Sequence, residues 1–268
     1  MKAARWISVA LLMVICAASL LANFLAPASY AAQFRDVPNS PPSSKHWLGT
    51  DALGRDRFSR VFYGTRVSLL LAPAAALVST LLAVCLGGVA GFLGGPWERL
   101  ALWTTDLFLS LPWIFLLIAV RAILPLNVSP ETSILITFSL LGILGWAPCA
   151  RVLCASSREL RNCDFVLQAR ASGMKTSRVL AIHIVPNLAP VLLAQFWISI
   201  PVFILAEANL GVLGLGVAEP LPSWGSLLRE LQGYGTFLDQ PCQLAALLLL
   251  IVVVTCFQVV LPNKEFAS

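Results

Sequence analysis

Two histidines, His46 and His183, and seven cysteines are the imidazole and thiol side chains that this 268-residue chain offers for nucleophilic or metal chemistry. The cysteines stand at 16, 85, 149, 154, 163, 242 and 256, with no CxxC pair and no Cys/His ligand spacing. Most fall in apolar runs and read as small core residues, because unpaired cysteine is among the most buried residue types. No phosphate-cradling G-x-x-x-x-G-K-[ST] occurs. Gly173-Met174-Lys175-Thr176 comes closest and fails, because one residue separates glycine from lysine and the earlier glycine is missing. Gly211-x-x-Gly214-x-Gly216 follows no strand pattern, so a dinucleotide site is not expected either. Nothing here predicts catalysis, a bound cofactor or a metal site. Glu207 is the carboxylate set well within an apolar run. One such group is too few for a proton or sodium relay. It either lines a pathway or hydrogen-bonds to a neighbouring helix, and the structural role is the favoured reading.

The elements that would position these residues follow from composition. The chain is 58% apolar and 12% charged, with a mean hydropathy of +0.84. A soluble domain is about one quarter charged, so 18 basic and 13 acidic residues cannot wet such a body. A soluble enzyme is excluded, and an all-α, polytopic membrane bundle is expected. A helix needs about 20 apolar residues to cross the hydrocarbon core. Six runs qualify: Trp6 to Ala28, Val67 to Gly94, Leu107 to Leu126, Thr132 to Ala150, Leu188 to Ala208 and Cys242 to Leu261. Pro112 should bend the third, and Arg121 near its end should snorkel to the interface. Pro73 and Pro201 should kink the second and fifth. Gly87, Gly88, Gly91, Gly94 and Gly95 should let a neighbouring helix approach the end of the second.

The first run exceeds the 7 to 15 apolar residues of a cleaved signal, so a retained anchor is expected. Lys2 and Arg5 place the amino terminus in the cytoplasm, and six crossings return the carboxyl terminus there. Ten of the 18 basic residues then lie inside, chiefly in the 151 to 187 segment. The polar 29 to 66 and 209 to 241 stretches lie on the far face, and His46 and His183 on opposite sides. Residues 1–65 read as anchor plus extracytoplasmic segment and 66–262 as the transmembrane core, with no internal repeat to support an inverted-repeat transporter.

The segment from Arg158 to Pro186 is too polar to cross and too patterned to be slack. Asn162 or Asp164 can cap a short helix, Gly173 can stop it, and Thr176 or Ser177 can start another. A surface element held by anionic lipid is the alternative reading. This stretch resembles the main cytoplasmic loop of ABC importer permease subunits, specifically the dipeptide/oligopeptide/nickel group. That family carries E-A-A-x-x-x-G, nine residues, then I-x-L-P. Here Leu167-Gln168-Ala169, Gly173, His183 and Val185-Pro186 align with it. Leu167 replaces the family glutamate, and His183 and Val185 replace isoleucine and leucine. His46 to Asp51, Gly54-Arg55-Asp56, Ser59-Arg60 and Gly64 to Leu69 are similar to the extracytoplasmic entry segment of the peptide-type permeases. Ile204 to Ala208, Leu213 to Gly216 and Pro222 to Gly225 are similar to their late extracytoplasmic region.

The resemblance covers roughly residues 40 to 230 and implies a second permease of the type I fold in a bacterial inner membrane. It implies a heterodimer with another permease, two ATPase subunits that bind the ATP, and an extracytoplasmic binding protein. Leu167, Gln168, Ala169, Gly173, His183, Val185 and Pro186 would then form the loop that docks on the ATPase, with Ala169 and Ala171 small enough for close seating. Short peptides are the expected cargo. The alternatives are nickel, a self-sufficient ion-coupled carrier or channel, and an inactive subunit, the last suggested by Leu167 and the short tail Pro262 to Ser268.

Overall fold

The computed structural model describes residues 2–232 and 241–260. Among them the regular structure is helical, with isolated bridges only between Gln33 and Arg55 and between Thr50 and Asp56. Five helices are long and apolar enough to cross a membrane: α1 (Lys2–Leu20), α2 (Arg57–Leu93), α5 (Pro130–Arg161), α7 (Thr176–Val212) and α9 (Pro241–Val260). Between α2 and α5 lie α3 (Gly95–Ser110) and α4 (Trp113–Ile123), which together pass the same test but are bent by 80°. The shorter α6 (Asp164–Ala171) and α8 (Trp224–Arg229) complete the set used below.

The boundaries differ from expectation for identifiable reasons. The third run is a broken pair rather than one helix, because Pro112 sits at the break and Leu111 is already extended. The fifth begins at Thr176, twelve residues before Leu188, so the second short helix expected in the loop is the first part of α7. Pro186 lacks the N–H that would bond back to Ile182. A π turn over Leu180–Ile184 precedes it and shifts the register without ending the helix. The fourth runs on to Arg161 through a turn at Gly145, so the connecting loop is short. The first ends at Leu20, followed by one turn over Ala22–Leu25 and extended backbone at Ala26. Leu261 and the tail Pro262 to Ser268 lie outside the described residues.

Backbone contacts divide the chain into two units. The first holds residues up to Ala72, Arg121–Phe138 and the chain from Pro201 onward; the second holds Pro73–Val120 and Ser139–Ile200. In the first, α1 packs along α9, and Arg5 Nε donates to the carbonyl of Val260 at 3.0 Å. Arg121 departs from expectation here. It does not reach out to an interface but is buried, donating to the carbonyl of Pro125 (3.3 Å) and to Ser133 Oγ (3.2 Å). Polar partners within the fold make that burial affordable where lipid would not.

In the second unit the glycines of α2 do what lipid packing requires. A Cβ on Gly87 would strike the carbonyl of Ala150, and one on Gly91 would strike that of Cys154. Gly87 and Gly91 are one turn apart, so their bare face lets α2 press onto α5 backbone to backbone. Of the cysteines, Cys149, Cys154 and Cys256 are buried, Cys16, Cys163 and Cys242 half-buried, and Cys85 exposed. The core reading therefore holds for three of them; Cys85 lies on the side of α2 that faces away from α5, since its i+2 neighbour Gly87 is the one in contact.

Candidate functional site

The aligned loop folds as a knob in the second unit. Cys163, in extended conformation, precedes α6, and Asp164 and Arg170 occupy its first and last turns, where their charges favour the helix dipole. Asp164 lies inside the helix rather than capping it. Gly173, at φ +78°, ends the element: Gly173 N–H donates to the Arg170 carbonyl (3.0 Å) and Met174 N–H to that of Ala169 (3.1 Å). This pair of bonds is a Schellman stop, which demands a left-handed residue at that position. The chain then enters α7 within three residues, so knob and 37-residue helix are joined with almost no slack.

One face of α6 is glued down. Val166 and Ala169 are buried with Phe92, Val179, Ile184 and Leu188, and the Arg170 guanidinium lies 4.9 Å from the Phe92 ring centroid. The other face is open. Leu167 is 50% exposed, and Gln168, Arg170, Ala171 and Gly173 are also exposed. Ala169 thus faces its own chain and cannot be presented to a partner, whereas Ala171 can. His183 is half-buried, its ring 6.0 Å from that of Phe165, while Val185 and Pro186 are exposed farther along α7, just after its π turn. Beneath the knob, Glu98 accepts from Arg158 (3.2 Å) and Arg161 (3.5 Å), tying the end of α5 to α3.

A second constellation lies in the first unit. Asp56 caps α2 by accepting from Ser59 N–H (2.8 Å) and Oγ (2.7 Å), and its other oxygen meets His46 Nδ1 at 2.9 Å. Asp51 accepts from Arg55 Nε at 2.6 Å, and Arg55 also bonds Glu219. Arg60, fully buried, pairs with Glu230 at 2.9 Å, Glu219 at 3.5 Å and Asp51 at 3.6 Å. Burial opposes the Arg55 charge, but the hydrogen bonds it donates to Glu219 and Asp51 outweigh that and hold the guanidinium above its ordinary pKa. For Glu230 burial prevails over Arg60, and its carboxyl is held above the usual range. A cavity of about 250 Å³ opens beside this network, with Glu219, Arg229 and Glu230 among its walls.

Glu207 is completely buried near this network. Its Oε2 accepts from Ser68 Oγ at 3.4 Å, and Ser223 and Gly225 flank it. Ser223 caps α8 in a reciprocal box with Ser226, and Trp224, fully buried, donates from Nε1 to Thr65 Oγ1 at 3.0 Å. Gly211 and Gly225 meet so closely that neither could carry a side chain. These contacts clasp α2, α7 and α8 together.

Residues 83–263 match the family model described as binding-protein-dependent transport system inner membrane component. The chain belongs to that family. The dipeptide transport system permease protein DppC of Bacillus subtilis is 33% identical over 79% of this chain and 64% of its own length. The oligopeptide transport system permease protein OppC of the same organism is 36% identical over 72% of this chain and 61% of its own. A putative peptide permease protein of Brucella suis is 34% identical over 76% of this chain and 66% of its own. The matches thus span somewhat under two thirds of these relatives' length. For a family of membrane transport components, several long apolar helices are the expected material.

The short helix and its glycine stop were legible in the sequence, whereas the ionic network had no role assigned to it, although its signal was present. Asp51 and Arg55 are four apart, Asp56 directly precedes the helix, and Arg60 is one turn in. Their distant partners Glu219 and Glu230 carry no mark in the sequence of pairing with residues more than 150 positions away.

Proposed function

We propose that the chain is one of two permease subunits of an ATP-driven importer of short peptides. A second permease, two ATPase subunits that bind the nucleotide, and an extracytoplasmic binding protein complete the assembly. The carrying observation is the knob: α6 has one face packed on its own chain, one face open, and a three-residue link into a membrane-length helix. A push on its open face is passed to α7, because Val166, Ala169 and Met174 cannot slide without opening the core around Phe92. Chain-borne energy is not required of such a lever. The relatives named for dipeptide and oligopeptide transport favour peptide over nickel as cargo.

Leu167, Gln168 and Ala171 make the contact with the ATPase, while Gly173, His183, Val185 and Pro186 shape the turn and the root of the lever. Glu207 holds helices together and does not ferry ions; its neighbours are the serines and backbone of the α2–α8 clasp. The knob faces the cytoplasm. The Arg5 to Val260 bond brings the start of α1 to the end of α9, which supports an even number of crossings and so counts the bent α3–α4 pair as one. Transport is then a shift between two states of the bundle, biased by nucleotide on one side and loaded binding protein on the other.

The test is reconstitution in proteoliposomes. Peptide uptake should require the ATPase subunits and ATP, and the purified chain alone should move none; uptake by the chain alone would refute the reading. Gly173→Trp supplies a sharper arm. No atom lies within 4 Å of a Cβ placed there and the site is exposed, so the expected cost to the fold is the left-handed backbone penalty of roughly 1–2 kcal/mol. Membrane insertion should survive while uptake and peptide-stimulated ATP hydrolysis are lost.

A further inference from the structure

Within the first unit, the turn after α1 and the beginning of α2 enclose a groove of about 400 Å³ with two chemically distinct ends. At one end is Arg66, half-buried, donating from Nη1 to Asn23 Oδ1 at 3.2 Å. Among the described residues no carboxylate lies within ion-pair distance of it, and a guanidinium carries five donors in a fork that suits an anionic oxygen pair. Tyr30 and Tyr63 stand beside it with ring centroids 5.0 Å apart. The rest of the groove is apolar: Val67, Leu70 and Leu71 follow Arg66 along one side of α2, with Leu70 45% exposed. Arg66 is also the last charge before the charge-free run from Val67 to Gly94, so it stands where the hydrocarbon core begins.

We propose that this groove binds one anionic phospholipid, with the phosphate on Arg66 beside the Tyr30–Tyr63 pair and an acyl chain along Val67, Leu70 and Leu71. The observations select this occupant over others. A free phosphate would leave the leucine wall unfilled. A protein helix would fill the wall but would have to bring its own acid to Arg66, at a depth where the membrane already supplies phosphate oxygens. The site is independent of the transport reading, since it needs only that α2 enters the bilayer near Val67.

The experiment uses the full chain, purified with its associated subunits into nanodiscs containing equal phosphatidylglycerol and phosphatidylethanolamine, and read by native mass spectrometry. One phosphatidylglycerol per chain should be retained through stepwise activation in preference to phosphatidylethanolamine. Arg66→Gln should weaken that retention about fivefold, the effect of one interfacial basic charge, and Arg66→Lys should keep most of it. Leu70→Trp, which fills the apolar wall, should reduce retention of both lipids while leaving Arg66 in place. Equal retention by wild type and Arg66→Gln, or no retained lipid, would overturn the proposal. So would efficient cross-linking of Leu70→Cys to another protein subunit in the intact membrane, which would show the groove to be a protein interface. An unchanged melting temperature of the variants verifies that the folded chain is being compared.

Discussion

Leu167 and Val166 are adjacent and equally apolar, yet the fold assigns them opposite duties. Val166 is fully buried under the knob, and Leu167 is half exposed on its open face. Leu167→Glu should therefore change stability by less than about 0.5 kcal/mol, whereas Val166→Glu, which buries an unpaired carboxyl, should cost roughly 3 kcal/mol or more. Thermal melts of the detergent-solubilised protein compare the two directly. A second prediction concerns Glu230. Its carboxyl is raised above the ordinary 4.5 by burial, so the folded chain holds that proton more tightly than the unfolded one. The corresponding stability is present in full below pH 4.5 and is lost as pH rises through the higher folded-state value. Glu230→Gln should flatten the decline in melting temperature over that window, and an unchanged slope would show that Arg60 compensates the charge fully.

Helix packing in the second unit depends on which glycine of α2 meets a backbone. Gly87 and Gly91 lie against the carbonyls of Ala150 and Cys154, while a methyl on Gly88 would find only Leu188 Cδ1 and Val84 Cγ1 at 3.8 Å. Gly91→Ala should destabilise by about 2 kcal/mol or more, because a backbone cannot move aside as a side chain can. Gly88→Ala should be neutral or slightly stabilising, since it removes unfolded-state freedom at an ordinary helical position. Amounts of folded protein in membranes, together with melting temperatures, check the pair. The sequence showed five glycines at this end of the run without ranking them. Spacing identifies a small-residue face, but only the partner helix decides which members touch it. The same holds for Pro112 and Pro186: each removes one N–H, yet the first breaks a helix by 80° and the second is absorbed by a π turn.

For the whole molecule the prediction is one of sides. Ser172, on the exposed end of the knob, and Ser44, in the segment before α2, should fall on opposite faces of the membrane. With cysteines introduced singly, Ser172→Cys should react with an impermeant maleimide only after the cells are opened, and Ser44→Cys in intact cells. Labelling of both from one side would contradict the six-crossing topology. The two long helices α2 and α7 each pass between the chain's two units at a proline, Pro73 and Pro201. Sequence predicted kinks at both.

What the amino-acid order determined by itself was the class of solvent and the class of element. Runs of 20 apolar residues have no stable place except a bilayer or a large core, and in a bilayer only helices satisfy their own backbone. The knob was legible for a similar reason: Gly173 fixes a helix stop through a local backbone preference that needs no distant partner. Tertiary structure alone decided the rest. Which face of α6 is open, which arginine is buried with serine and carbonyl partners, and which acids neutralise Arg55 and Arg60 all depend on groups far apart in the chain. Pairing over such separations is set by how helices pack, and packing reads shape and volume on every side at once, whereas a sequence presents its neighbours along one line.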